Sequence, residues 1–91
     1  MKLKNIKIGE SYQLKTIEKS KKALEESLLL IVDVEEIINN TYAEEDYSFT
    51  EGQIVKVEYI DNGNSKYNIK IESEDGEVSA WTNAHCLKKI K

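Results

Sequence analysis

The segment from residue 47 to residue 90 constrains the fold more than any other, because it contains three short strand patterns separated by tight turns. The run from Ile54 to Ile60 is rich in β-branched and aromatic residues, and residues 67–72 alternate apolar with polar side chains, as in a half-buried strand. A third run covers residues 78–81. The turn signals between the runs are Asp61-Asn62-Gly63-Asn64 and Asp75-Gly76. Strands this short are unstable alone, so we expect the meander to close on itself or on another element.

Parts of this segment resemble a Src homology 3 (SH3)-like domain. AWTNAHCLKKI, residues 80–90, is similar to the strand, 3₁₀ turn and last strand that end that fold. EDYSFTEGQIVKV, residues 45–57, resembles the stretch that leaves its RT loop, and LIVDVEE, residues 30–36, is similar to its first strand. The resemblance covers about residues 30–90. It implies a mainly β fold, namely an SH3-like small five-stranded barrel with one N-terminal helix and a 3₁₀ turn before the last strand.

The aromatic residues with which the SH3 family binds polyproline peptides are not retained. On this alignment the two tyrosines of the first strand become Val32 and Val34, the proline of the 3₁₀ turn becomes Asn83, and its tyrosine becomes Cys86. Stacked rings form the slots that receive an extended proline-rich helix, so binding of such peptides is not expected. Trp81 matches a buried position before the turn, where we expect core packing.

The first half of the chain predicts a short strand at residues 11–15 and then a helix that Thr16 caps and that runs to Glu26. Residues 28–38 fit two templates. As a helix, they continue an apolar face that spans about residues 17–40; as a strand, they alternate apolar residues and are rich in β-branched side chains. We favour the strand, because it supplies the barrel with its first long strand.

Charge is segregated along the chain: residues 25–51 hold nine acidic residues and no basic one, whereas residues 1–24 hold seven lysines and two acids. We predict that an acidic, tyrosine-bearing loop binds a partner protein with a basic surface, because complementary fields speed encounter and select partners. The predicted partner-binding residues are Tyr42, Glu44, Glu45, Asp46 and Tyr47. A pI near 5.0 and the lack of arginine argue against direct binding of nucleic acid.

Candidates for catalysis or metal binding are few. His85 and Cys86 are the only histidine and cysteine, and neighbours on a turn point apart, whereas a Cys–His pair needs side chains that meet. A zinc site needs at least three nitrogen or sulfur ligands. Residues 61–72 have the length and terminal acids of a calcium loop, but Lys66 stands where that loop needs glycine. We therefore expect no enzymatic activity, no metal and no cofactor.

We expect a single domain over residues 1–91, in which residues 1–26 are a strand and helix extension and residues 27–91 form the barrel. The N-terminus lacks the apolar core of a secretion signal and the single cysteine suits a reducing compartment, so a cytoplasmic location without membrane contact is expected. Thirteen lysines without arginine are typical of A/T-rich genes of bacteria or their phages.

Two functions are consistent with these features. The first is a non-enzymatic protein-interaction module that holds a basic or extended peptide surface of a partner. The second is an acidic inhibitor, encoded by a phage or mobile element, that occupies a basic nucleic-acid site on a host enzyme. Exposed edge strands favour pairing of copies, but Lys56 and Lys70 oppose it, so a monomer or weak dimer is expected.

Overall fold

The computed structural model describes residues 1–27, 34–42 and 49–90, and within them it contains one antiparallel sheet and two α-helices. Short 3₁₀ turns occupy Leu3–Asn5 and Ala84–Cys86. The α-helices are α1 (Ile17–Glu26) and α2 (Val34–Thr41). The strands, in chain order, are β1 (Ser11–Leu14), β2 (Ile54–Ile60), β3 (Ile69–Ser73), β4 (Ser79–Thr82) and β5 (Leu87–Lys88).

The five strands lie in the order β4-β3-β2-β1-β5, and every neighbouring pair is antiparallel. Strands β4 and β5 are the two edges, and they pair with no further strand in the described ranges. A barrel requires its edge strands to meet, so the predicted closed barrel is wrong: the sheet is open. The prediction of a mainly β chain with five strands and a 3₁₀ turn before the last strand is confirmed.

The alternation in the sequence explains the central strands. Val55 and Val57 in β2 and Ile69 and Ile71 in β3 are fully buried, whereas Lys56 between the two valines is exposed. Because successive side chains of a strand point to opposite faces, this pattern gives the sheet one apolar inner face and one polar outer face. The strand patterns and turn signals of the C-terminal half therefore predicted β2, β3 and β4 to within about two residues.

The predicted strand over residues 28–38 is wrong where the structure describes it, because Val34–Thr41 is helical. Residues 28–33 lie outside the described residues. The apolar residues of α2 explain the result: Ile37 and Ile38 are 2% and 4% exposed and face the core from one side of the helix. Two helices are present rather than one, and the sheet does not begin at residue 27, since β1 lies between β2 and β5.

Helix α1 begins where the sequence indicated. The Thr16 side chain accepts a hydrogen bond from the Lys19 backbone N–H at 3.2 Å, which satisfies one of the free donors at the helix N-terminus. The Glu51 carboxylate accepts a hydrogen bond from another of these donors, the Ile17 backbone N–H, at 2.7 Å. Residues distant in the chain thus complete the cap and fix α1 to the start of β2.

The two helices cover the inner face of the open sheet. Leu24 of α1 and Ile37 and Ile38 of α2 belong to the same buried cluster as the valines and isoleucines of β2 and β3. Helices here bury the apolar face that closure of a barrel would otherwise bury, which explains how a small open sheet is stable.

Both helices belong to one insertion between β1 and β2. At its base, the Leu14 N–H donates to the Gln53 carbonyl at 2.9 Å, and the Gly52 N–H donates to the Leu14 carbonyl at 3.0 Å. Gly52 has a φ of 77°, a conformation that glycine adopts without strain. The chain therefore leaves the sheet and returns to it at a single point.

Candidate functional site

An open groove of about 620 Å³ lies beside the edge strand β4. It is formed by α2, by the loop between β2 and β3, and by β4 itself, and we call it the acidic–aromatic groove. Its lining residues are Glu36, Asn40, Asp61, Asn64, Tyr67, Ser79, Ala80 and Trp81.

Helix α2 forms one side of the groove. Glu36 and Asn40 are four residues apart and therefore lie on the same face of the helix. The Asn40 side-chain amide donates to the Trp81 carbonyl at 2.7 Å, which ties the helix to the edge strand. The buried hydroxyls of Thr41 and Thr82, 2.7 Å apart, make a second link between the same two elements. The position of α2 against β4 is thus fixed by polar contacts as well as by packing.

The loop between β2 and β3 forms another side and is held by side chains with amide and carboxylate groups. The Asp61 carboxylate accepts from the Gly63 N–H at 3.0 Å. The Asn64 carbonyl oxygen accepts from the backbone N–H groups of Lys66 and Tyr67 at 2.8 and 2.9 Å. These local bonds give the loop a defined turn conformation rather than leaving its backbone to solvent.

Asn83 holds this loop through hydrogen bonds from the protein interior. Its side chain is fully buried, and its amide donates to the carbonyls of Ser65 and Lys66 at 3.0 and 2.9 Å. Its carbonyl oxygen accepts from the His85 N–H at 2.9 Å and so caps the 3₁₀ turn. The residue that replaces the SH3 family's proline on the alignment is therefore a buried polar anchor, and the sequence carried no signal for that role.

The aromatic part of the groove comes from the outer face of the sheet. Trp81 is half-buried, not part of the core, so the prediction that it packs in the interior is wrong; Thr82 is the fully buried residue of β4. The rings of Trp81 and Tyr59 meet edge to face with centroids 6.0 Å apart, and Tyr59 is 55% exposed. The Lys66 ammonium lies 5.2 Å from the centre of the Tyr67 ring.

Part of the acidic block in residues 25–51 is used within the protein. Glu35 forms a 3.0 Å ion pair with Lys21, and Glu36 forms one with Lys66. Asp61, outside that block, adds a carboxylate to the groove and makes no ion pair with any described residue. The groove therefore carries negative charge from Asp61, beside a Glu36 carboxylate that is partly compensated.

Of the predicted partner-binding residues, Tyr42 is described and is buried. It is 8% exposed, and its hydroxyl donates to the Lys15 carbonyl at 2.7 Å and lies 2.9 Å from the Ser20 hydroxyl. Burial raises the pKa of Tyr42 well above its ordinary value. Tyr42 therefore belongs to the buried core cluster. Glu44, Glu45, Asp46 and Tyr47 lie outside the described residues.

The surroundings of His85 and Cys86 disfavour the charged forms of both side chains. Cys86 is fully buried, and burial raises the pKa of its thiol, which disfavours the nucleophilic thiolate. His85 is half-buried, and desolvation lowers the pKa of its imidazole.

Among the described residues, no cluster of three or more histidine, cysteine, aspartate or glutamate side chains is placed to hold a metal ion. In the same ranges, no helix has the length and apolar character needed to span a bilayer.

Comparison of the chain with protein-family models, with curated proteins and with solved structures finds no match.

Proposed function

We propose that this protein is a non-enzymatic interaction module that binds a basic, extended segment of a partner protein in the acidic–aromatic groove. One observation carries the proposal: Trp81 and the carboxylates of Glu36 and Asp61 line the same open groove. Glu44, Glu45 and Asp46, together with Tyr47, follow α2 in the chain and remain part of the proposed binding region.

The chemistry of the lining suits lysine or arginine side chains on an extended backbone. A carboxylate accepts charge-assisted hydrogen bonds from their ammonium or guanidinium groups. An aromatic ring packs against their methylene stems and attracts the cationic end. The amides of Asn40 and Asn64 add donors and acceptors for a peptide backbone. Aromatic residues beside polar ones are also the composition typical of binding hot spots.

We propose, too, that the fold is an SH3-like variant in which β1 is the first strand and the helical insertion replaces the RT loop. The 3₁₀ turn Ala84–Cys86 between β4 and β5 supports this, since a 3₁₀ turn before the last strand is part of the resemblance in residues 80–90. The groove then lies between that insertion and the loop after β2. Trp81 lines this groove, and Asn83 holds the loop that forms one of its sides.

The ion pairs on α2 favour this module over an acidic inhibitor that imitates nucleic acid. Imitation needs a continuous field of uncompensated negative charge, whereas Glu35 and Glu36 are paired with Lys21 and Lys66. The two functions differ in their salt dependence. Binding by imitation weakens steeply between low and moderate ionic strength, and binding that buries aromatic surface in the groove does so much less.

Selection from a displayed library of random ten-residue peptides tests the proposal. We expect the selected peptides to be rich in lysine or arginine and to change the fluorescence of Trp81, the only tryptophan of the chain. Replacement of Asp61 by Asn or of Glu36 by Gln removes one charge from the groove. Each replacement should weaken binding by about 2- to 5-fold, as for partly exposed ion pairs.

Glu25→Gln provides the matched control. Glu25 is exposed on α1, belongs to the same acidic block, and does not line the groove. Equal losses from Glu25→Gln and Asp61→Asn would show that net charge, and not the groove, governs binding. A library from which no peptide is enriched over an unrelated protein would overturn the proposed function.

A further inference from the structure

In the part of the chain that the structure describes, no strand pairs with the outer edge of β4, and this edge lies in the acidic–aromatic groove. In an antiparallel ladder, residues whose backbone groups face the neighbouring strand alternate with residues whose groups face away. The Ser73 N–H donates to the Val78 carbonyl at 2.8 Å, and the register pairs Ile71 with Ala80. Val78 and Ala80 thus face β3, and the backbone groups of Ser79 and Trp81 point away from the sheet.

The structure itself supports this assignment. The Trp81 carbonyl accepts the hydrogen bond from the Asn40 amide of α2, so it is directed out of the sheet. The Ser79 N–H, the Ser79 carbonyl and the Trp81 N–H have no partner among the described residues. Ser79 is exposed, and all three groups belong to residues that line the groove. Helix α2 therefore closes one end of the edge and leaves the Ser79 end accessible.

The opposite edge of the sheet is protected. Lys15 donates its backbone N–H to the Cys86 carbonyl at 2.8 Å, which by the same alternation directs the Leu87 carbonyl outward. The amino group of Met1 donates to that carbonyl at 3.1 Å. Lys88 in β5 adds the charge that commonly prevents edge pairing, whereas β4 contains neither lysine nor proline. The two edges thus differ, and β4 is the one available to another chain.

We infer that the partner segment binds as an added β-strand on the outer edge of β4, through backbone hydrogen bonds to Ser79 and Trp81. The inference rests on the proposed function and specifies how the ligand is held. Strand addition obtains affinity from main-chain hydrogen bonds and specificity from alternate side chains. The occupant is an extended segment of a partner protein with basic residues at alternate positions, because the carboxylate of Asp61, beside the partly compensated Glu36, gives the groove its negative charge.

The probe is a synthetic, end-blocked seven-residue peptide of alternating lysine and valine, with Trp81 fluorescence as the binding signal. Two further peptides carry N-methyl groups on all valines or on all lysines. In a strand, only one of these two sets of N–H groups faces β4. We expect one methylated peptide to bind like the parent and the other to lose about 5- to 10-fold, as for the loss of the backbone hydrogen bond to the Ser79 carbonyl.

A pair of variants tests the same point from the protein side. Ser79→Pro removes the outward N–H without removing a bond to β3, since proline is tolerated on the free side of an edge strand. Ser79→Ala changes the side chain and keeps that N–H. We expect Ser79→Pro to weaken binding by about 10-fold and Ser79→Ala by less than about 2-fold. If Ser79→Pro does not fold, as judged by circular dichroism, the methylated peptides on the unaltered protein decide.

The outcomes separate this inference from the proposed function. Binding that both methylated peptides retain equally would refute strand addition while leaving the groove as a peptide site. Equal affinity of Ser79→Pro and Ser79→Ala would refute it in the same way. Failure of the unmodified peptide to bind at millimolar concentration would overturn strand addition, and the library selection would then decide independently whether the groove binds peptides at all.

Discussion

Replacement of Tyr42 by phenylalanine removes one hydroxyl that joins three separate elements of the fold. That hydroxyl donates to the carbonyl of Lys15, just after β1, and pairs with the hydroxyl of Ser20 on α1, while Tyr42 itself follows α2. Ser20 is fully buried, so its hydroxyl cannot turn to water when its partner is removed. The Tyr42→Phe variant therefore tests whether this contact fixes the helical insertion to the sheet.

The expected cost follows from the two bonds. A hydrogen bond contributes about 1 kcal/mol net, and a buried polar group left without a partner costs about 1–3 kcal/mol. We expect Tyr42→Phe to lower the free energy of unfolding by about 2–3 kcal/mol. With a urea m-value of about 1.5 kcal/mol/M for a domain of this size, the midpoint falls by between about 1 and 2 M.

Urea unfolding followed by circular dichroism measures this change. Tyr59→Phe is the matched control, because Tyr59 is 55% exposed and the same atom is removed there; its effect should stay within about 0.5 kcal/mol. The double variant Ser20→Ala with Tyr42→Phe removes both hydroxyls together. Its destabilisation should be smaller than the sum of those of the two single variants by about 1 kcal/mol, because no buried Ser20 hydroxyl then remains without its Tyr42 partner.

Two results would refute this reasoning. The first is that Tyr42→Phe and Tyr59→Phe have the same stability. The second is that the effects of Ser20→Ala and Tyr42→Phe add without coupling. A Tyr42→Phe protein with unchanged stability but weakened partner binding would instead support the sequence-based prediction that Tyr42 contacts a partner.

Three further expectations concern the turn, the thiol and the imidazole. Gly76→Ala should cost about 1 kcal/mol and lower the melting temperature by about 4–8 °C, because φ is 76° there, whereas Gly63→Ala, at a glycine without positive φ, should change it far less. Cys86 should react with a thiol reagent only at the rate of unfolding, and rapid labelling of the native protein would contradict its burial. The lowered pKa of His85 means that the unfolded chain binds its proton more readily. Stability should therefore fall as the pH drops through 6.5, and His85→Gln should flatten the pH dependence of the melting temperature.

The C-terminal half was predictable because its signals are local. Alternation identified β2 and β3, and a single dipeptide, Asp75-Gly76, identified the hairpin between β3 and β4. Gly76 has a positive φ, and the Asp75 carboxylate accepts a hydrogen bond from the Glu77 N–H at 3.0 Å. The hydrogen bond from the Ser73 hydroxyl to Asp75 also lowers the pKa of that carboxyl. Each of these features depends on residues close together in the chain.

The helix α2 and the groove were not predictable in this way. Residues 28–38 satisfy helix and strand patterns equally, and α2 forms because Ile37 and Ile38 meet the inner face of a sheet that the rest of the chain builds. Such tertiary packing overrides a weak local preference. The groove combines Glu36, Asp61 and Trp81 from three distant segments, so no spacing of residues in the sequence predicts it. The predicted site combined the acidic charge with its flanking tyrosines, and neither feature of the sequence revealed that Tyr42 is buried.

The hydrogen bonds of Leu14 with Gln53 and Gly52, where the helical insertion leaves the sheet, also bear on the order in which the strands pair during folding. Strands β2, β3 and β4 pair through short turns, so their ladder costs little chain entropy. The pairing of β1 with β2 closes a long loop that contains both helices, and among the described residues β5 pairs with β1 alone. Contacts between distant residues form late for this reason. We therefore expect the amides of β2 and β3 to be protected from hydrogen exchange first during refolding, and those of β1 and β5 last. The helical insertion, which builds one side of the groove, is then acquired in the step that completes the native state.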